Sequence, residues 1–411
     1  MSYFAFVRDN VRWLAGGFLL TFFSSFGQTF FISLSAGSIR SEFDLSHGEF
    51  GSVYMIATLA SALTLSQLGK IVDSLSVSRV ALIIIPLLAL FAASMAFANS
   101  LVMLVVAIFG LRLFGQGMMT HSAITAMGRW YVAQRGRAVS VASLGHQVGE
   151  AALPIIYVSI VATVGWRNTW LLAALVVMCI ALPLVFALMR QERQPRSTDG
   201  VAQNSAPRDW TRKEVLRDPI FWAILFGILA PGFIGTTIFF HQVYLVELRT
   251  WSMEVFAGSF AFMSVMTFSF ALIGGILIDR FSAVALLPTF LLPLATSCFL
   301  LGGIEAQWGI FAFMALLGMS YGVSSTLFGA LWPEIYGIRH LGSIRAIIVA
   351  FMVFSTAMGP GITGFLIDYG VDYPSQILVM GAYCLLASIV MTIVSRRVKR
   401  RNLTIAAAAV T

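Results

Sequence analysis

Charge is what this 411-residue chain has least of: 11% of its residues are Asp, Glu, Lys or Arg, against 59% hydrophobic. A soluble domain carries roughly 25% charged residues, so a soluble fold is excluded. No GxxxxGK[ST] loop occurs, which excludes ATP hydrolysis of the P-loop kind. HExxH, C-x-x-C and paired intramembrane carboxylates are also absent, and with them the usual means of an embedded enzyme. Cys179, Cys298 and Cys384 are the only cysteines. They lie at neither disulfide nor metal-ligand spacing and read as packing residues. Alternating strands with a polar lumen are missing, so a membrane β-barrel is excluded. No cofactor and no metal are expected.

Long apolar runs fill the space that charge leaves. The mean hydropathy is +0.89, and a helix needs about 20 apolar residues to cross the hydrocarbon. Twelve segments qualify: 12–35, 50–69, 80–98, 101–127, 138–164, 168–190, 219–246, 255–278, 283–303, 308–332, 344–367 and 374–395. The first is no cleavable signal peptide, because Arg8 and Arg12 precede an unbroken run with no small-x-small site behind a short core. The prediction is an all-α polytopic membrane protein of two six-helix bundles, 1–190 and 219–395. A Pro-, Ser- and charge-rich linker, 191–218, joins them, and 396–411 forms a tail. A short surface helix is expected from Lys213 to Asp218.

The net charge of +8 is distributed by side. With the N-terminus inside, only Arg40, Arg167 and Arg249 fall on the outer side and Arg112 within the bilayer; every other Lys and Arg is cytoplasmic. Both termini are therefore expected in the cytoplasm of a bacterial inner membrane, and the chain is expected to act as a monomer without nucleic acid. The basic run from Arg396 to Arg401 is a stop-transfer flank suited to anionic lipid.

The halves repeat. Gly69-Lys-Ile-Val-Asp73 between spans 2 and 3 is echoed by Gly275-Ile-Leu-Ile-Asp279 between spans 8 and 9. Trp130-Tyr131 and Arg135-Gly136-Arg137-Ala138 are echoed by Trp332-Pro333 and Gly342-Ser343-Ile344-Arg345-Ala346. These motifs, in this order across the whole chain, resemble the major facilitator superfamily. The Gly-x-x-x-Asp loops look like its loop 2–3 signature, although Ser74 stands where a basic residue is usual, and Ser76 and Ser282 where glycine is usual. Arg112-Leu-Phe-Gly-Gln116-Gly117 looks like its fourth-helix arginine motif, and Arg129-Trp130-Tyr131 with Arg135 to Ala138 is similar to its organic-anion and monocarboxylate branches. Gly359-Pro360-Gly361 resembles a helix-bending motif. The resemblance implies alternating access and a cavity lined by spans 1, 4, 7 and 10.

Arg112 and Glu150 stand near the middles of spans 4 and 5, where a charge costs several kcal/mol and marks a functional site by default. Gln116 and His146 lie one turn away on the same faces, so a ladder of Arg112–Glu150 above Gln116–His146 is geometrically allowed, and whether Arg112 and Glu150 pair stays open. Arg112, Gln28, Gln116, Thr236, Thr237, Tyr321 and Ser324 are the candidate substrate-binding residues. Glu150 and His146 are the candidate proton-coupling residues. Gly69, Asp73, Gly275, Asp279, Arg129 and Arg137 are candidate gate residues. His241 is a further gate candidate near the flexible Pro231, Gly232 and Gly235. His121, half a turn round from Arg112, is expected to face elsewhere; His47 and His340 fall in loops. The function expected is proton-coupled transport of a small carboxylate or other organic anion, with proton-driven multidrug or metabolite export as the alternative.

Overall fold

The computed structural model describes residues 3–69, 71–131, 134–191, 193, 208–337 and 340–408; most of the expected linker lies outside the described residues. Among the described residues, nine helices are long and apolar enough to cross a membrane, and no residue is in a strand. We label α1 (the bent pair Val11–Gly27 with Thr29–Phe43), α2 (His47–Leu68), α3 (Val77–Phe97), α4 (Leu101–Trp130), α5 (137–164) and α6 (166–189), which together are one long helix, α7 (Pro219–Phe240), α8 (Met253–Ile278), α9 (the shorter apolar helix Leu292–Gly303), α10 (Gly309–Tyr336), α11 (Ile347–Asp368) and α12 (Tyr373–Arg401). The spans α5 and α6 run on from one another, and the boundary is Gly165, at φ 78° and ψ 166°. Only glycine adopts that backbone without strain.

Local signals explain where helices start. Ser46 and Glu49 form a reciprocal capping box that opens α2, and Ser100 accepts from the Met103 amide to open α4. Thr211 and Glu214 cap a short helix, Arg212–Arg217, where a surface helix was expected.

Three spans depart from the continuous helices the sequence predicts. The two arms of α1 meet at 44°. Gln28 between them is extended, at φ −85° and ψ 154°, after a 3-10 turn over Ser24–Gly27. The outer part of the seventh span breaks at His241 (φ −95°, ψ 18°) and resumes as Gln242–Leu248, whereas the helix runs unbroken through Pro231. In the ninth, Ala283–Leu286 and Leu292–Gly303 are separated by turns around Pro288, because proline removes a helix hydrogen bond.

The chain forms two compact units: Met1–Val201 with Phe239–Ala261, and Ala202–Ile238 with Phe262–Thr411. In the first, α5 lies close against α1 because Gly145 and Gly149 bring their backbone onto Phe18, Thr21, Phe22 and Ser25, the small-residue packing that membrane helices favour. The buried tips of Tyr157 and Trp170 both reach Ser35 of α1, at 2.6 and 2.9 Å. In the second unit, Gly235 of α7 meets Tyr321 of α10, and Gly359 of α11 meets Thr237 of α7.

Candidate functional site

At the break in α1, α4 comes so close that there is no room for a side chain on either facing residue. A Cβ on Gly27 would strike the Leu111 carbonyl and lie 2.8 Å from the Gln116 nitrogen, and one on Gly115 would lie 2.8 Å from the Gly27 Cα. Opposite the break, α4 is itself irregular: Leu111–Met119 is π-helical, a feature that often marks functional sites. Arg112 begins this stretch.

The Arg112 side chain is buried, 4% exposed, and turns to the break. Its Nη1 donates to the Gly27 carbonyl at 3.4 Å, a distant contact, and to the Thr29 hydroxyl at 3.2 Å. The Gly27 carbonyl is one of those that the end of the first arm frees. The guanidinium lies 5.3 Å from the Tyr54 ring centre, within cation–π range, and the Tyr54 and Thr29 hydroxyls are 2.5 Å apart. Nε has no hydrogen-bond partner among the described residues.

The open question of the ladder has an answer among the described residues. Among the described residues, Glu150 makes no ion pair or hydrogen bond, and Arg112 spends its contacts on neutral oxygens and a ring. Matched depth on α4 and α5 did not place the two charges together, since the α1 break takes the guanidinium. Glu150 is nonetheless buried, 8% exposed, beside Gly149, whose neighbour is Ser25 of α1. His146 has its ring 6.1 Å from that of Phe30, and its Nδ1 is buried without a partner, as is the Ser25 hydroxyl. The α4 arginine and, on α5, His146 and Gly149 thus all meet α1 within residues 25–30. Gln28 and Gln116 are half-buried in the same neighbourhood.

The other candidates are placed as follows. In the second unit, the Thr237 hydroxyl donates to Phe233 O at 2.7 Å and Thr236 is half-buried. Ser320 and Ser324 carry buried hydroxyls without partners among the described residues. Gly69 ends α2, where its carbonyl lies 3.3 Å from His121 Nε2, and Arg129 donates to Val72 O at 3.3 Å. His121 therefore does have a place, against the 2–3 loop. Arg137 is exposed, and Gly275 has open space around it. The side chains of Asp73 and Asp279 lie outside the described residues.

Sequence reasoning missed Thr29 and Tyr54, the partners of Arg112, and a pair of matching polar clusters. In the first unit, Arg193 Nε donates to Asn10 at 3.2 Å, its Nη1 donates to Trp130 O, and its guanidinium stacks 4.1 Å over Tyr131. In the second, Arg401 donates to Asp218 at 2.6 Å and lies 5.6 Å over Tyr336, whose hydroxyl donates to the same carboxylate at 3.0 Å. Asn10 and Asp218, like Arg193 and Arg401, stand 208 positions apart. That signal was in the sequence.

Polytopic helices in two repeated halves, with buried ionisable groups at a broken first span, define a membrane transporter. A model of the Major Facilitator Superfamily matches residues 17–360, and the chain belongs to that family. It is a multi-pass secondary transporter of small solutes rather than an enzyme. The "Uncharacterized MFS-type transporter YhjX" of Escherichia coli (strain K12) is 21% identical over 343 residues, covering 83% of this chain and 84% of that one. A bacterial homolog of the human lysosomal transporter Spinster, solved inward-facing and unoccupied, matches with TM-score 0.73 and 16% identity over 95% of this chain and 98% of that one. The nucleoside transporter NupG matches with TM-score 0.70 and 12% identity over 93% and 99%. Likeness at these identities is one of fold.

Proposed function

We propose that the chain carries a small organic anion, a carboxylate, coupled to protons, with Arg112 as the anion's anchor and Glu150 assisted by His146 as the proton carrier. The observation that carries this reading is the concentration of unpartnered polar groups where α1, α4 and α5 meet, Arg112 Nε, the His146 Nδ1 and the Ser25 hydroxyl, with Glu150 buried one turn from His146 on α5. A buried charge without a counter-charge is costly, and such a cost is sustained where a ligand or proton supplies the partner. Guanidinium presents a planar fork that matches a carboxylate through two hydrogen bonds. Glu150 in its protonated form needs no cation, and in its ionised form is drawn to one.

In the same reading Gln28 and Gln116 orient the solute, and Thr236, Thr237, Tyr321 and Ser324 are its contacts in the second half. Gly69, Asp73, Gly275, Asp279, Arg129 and Arg137 belong to the gates. The halves 1–190 and 219–395 rock about the linker 191–218, with both termini cytoplasmic and the chain a monomer in a bacterial inner membrane. One observation favours the alternative, export of apolar compounds. A cavity of about 360 Å³ in the second unit is lined by apolar residues such as Leu229, Phe233, Ile234 and Met380, with Ser355 and Tyr383 at its polar points.

Counterflow in proteoliposomes decides between the two, using lactate and succinate against a lipophilic cation. Carboxylate counterflow is expected in the parent and is lost in Arg112→Lys, which keeps the charge and loses the fork. Glu150→Gln is expected to abolish gradient-driven accumulation while exchange persists, since exchange moves no net proton. Counterflow of the lipophilic cation alone would move the assignment to export.

A further inference from the structure

Tyr54 joins the Arg112 site to a second feature, the hold that α1 and α2 have on the segment after α7. Residues 239–261 follow the linker in sequence yet cluster with the first unit. Side-chain hydrogen bonds explain why. Ser33 Oγ donates to Phe239 O at 2.7 Å, and Gln242 Nε2 donates to Phe30 O and Ser33 Oγ, both at 2.9 Å. Ser33 and Gln242 are fully buried. Phe240, between them, stacks on Phe50 at 5.1 Å and lies tilted against Tyr54 at 4.8 Å. His241 lies 5.9 Å from His47 by ring centres.

Every α1 residue in this latch sits on the second arm, immediately past the break at Gln28. The same arm carries Thr29, which receives Nη1 of Arg112 and shares a hydrogen bond with Tyr54. Tyr54 is fully buried, with its hydroxyl on Thr29 and its ring in contact with both the Arg112 guanidinium and Phe240. A single rigid side chain thus reads the position of the arginine and bears on the latch.

We infer that Tyr54, held by Thr29, is the positioning residue through which occupation of Arg112 sets the hold on segment 239–242. A ligand that takes the arginine's donors draws the guanidinium away from Thr29 and the Tyr54 ring. The second arm of α1 and the Phe240 contact then lose a common support, and the latch loosens. Only a ligand or proton that interacts differently with latched and unlatched states can shift their populations, and the arginine's change of partners is that difference. The ligand half of this inference rests on the anion reading; the mechanical half does not.

The test is the labelling rate of Val243→Cys by a membrane-impermeant maleimide, in full-length protein carrying Cys179→Ser. Cys298 and Cys384 are buried and stay. Without ligand, Thr29→Val and Tyr54→Phe each delete the shared hydrogen bond and are expected to raise the rate about fivefold, the factor set by one neutral hydrogen bond. Arg112→Gln should do the same. In counterflow, Tyr54→Phe should lower kcat about fivefold with KM near the parent value, a split that mere loss of folded protein would not produce. Parent-like labelling and parent-like kcat in both Thr29→Val and Tyr54→Phe would overturn the inference. Fast labelling in the variants, with lactate and succinate leaving the parent's rate unchanged, would uphold the mechanical link and count against the anion reading alone.

Discussion

The two arginine clasps are the same device built twice, once neutral and once charged. In each, an arginine at or beyond the end of the half's last span reaches the residue just before its first span and stacks on a tyrosine from the end of its fourth. The first clasp sets Arg193 against the amide of Asn10 and the ring of Tyr131. The second sets Arg401 against the carboxylate of Asp218 and the ring of Tyr336, with Trp210 4.7 Å below as a further aromatic face. Duplication preserved the geometry and left the charge free to change. The common requirement is an arginine that ties three helix ends together, by a planar group that both donates and stacks.

The difference predicts unequal consequences when the clasps are cut. Arg401→Ala leaves Asp218, 8% exposed, buried without its cation, and is expected to cost about 3 kcal/mol. Arg193→Ala removes two hydrogen bonds to neutral acceptors and a stack, and should cost about 1–2 kcal/mol. Thermal unfolding in detergent, followed by tryptophan fluorescence, ranks the two; equal losses would break the comparison. Next in size, Asp218→Asn turns the second clasp into a copy of the first and should cost about 1–2 kcal/mol. Combined with Arg401→Ala it should cost less than the sum of the single changes, because the orphaned carboxylate is gone. Tyr336→Phe, which deletes the hydroxyl on Asp218 and keeps the ring, is expected to cost about 1 kcal/mol by the same assay.

An exposed ion pair sharpens the lesson from the other side. Glu42 and Arg167 are bonded at 2.5 Å but are 43% and 31% exposed. Arg167 Nε donates to both Glu42 oxygens, but solvent screens the pair, so Glu42→Gln should cost only roughly 0.2–0.5 kcal/mol in the same unfolding assay.

Much of the fold was legible because lipid imposes length and apolarity on every span, and those leave continuous runs in the sequence. The repeat was legible wherever glycine or tryptophan marked it. What escaped has a common cause. The break at Gln28 lies where Gly27 and Gly115 come into close contact, a tertiary fact that no local propensity carries. The π-helical stretch Leu111–Met119 alters the angular spacing of side chains, which the ordinary 3.6-residue period does not foresee; His121 nonetheless faces away from the Arg112 site, against the Gly69 carbonyl. Depth alone allowed Arg112 and Glu150 to pair; depth says nothing about Thr29 and Tyr54, which hold the arginine instead. The clasps were readable from a constant offset, but their members lie outside the apolar runs on which the repeat was sought.

The membership of Phe239–Ala261 in the first compact unit has a consequence for anyone who cuts this chain at its linker. Fragments 1–201 and 202–411 would not be two autonomous halves. The shorter piece would be made without the strip that covers Phe30, Ser33 and Phe50, while the longer would carry that strip with nothing to receive it. Split expression should therefore succeed only as complementation, with each fragment rescued by the other's presence during insertion. A cut placed after Ala261 would instead leave the strip and its receptor on one polypeptide.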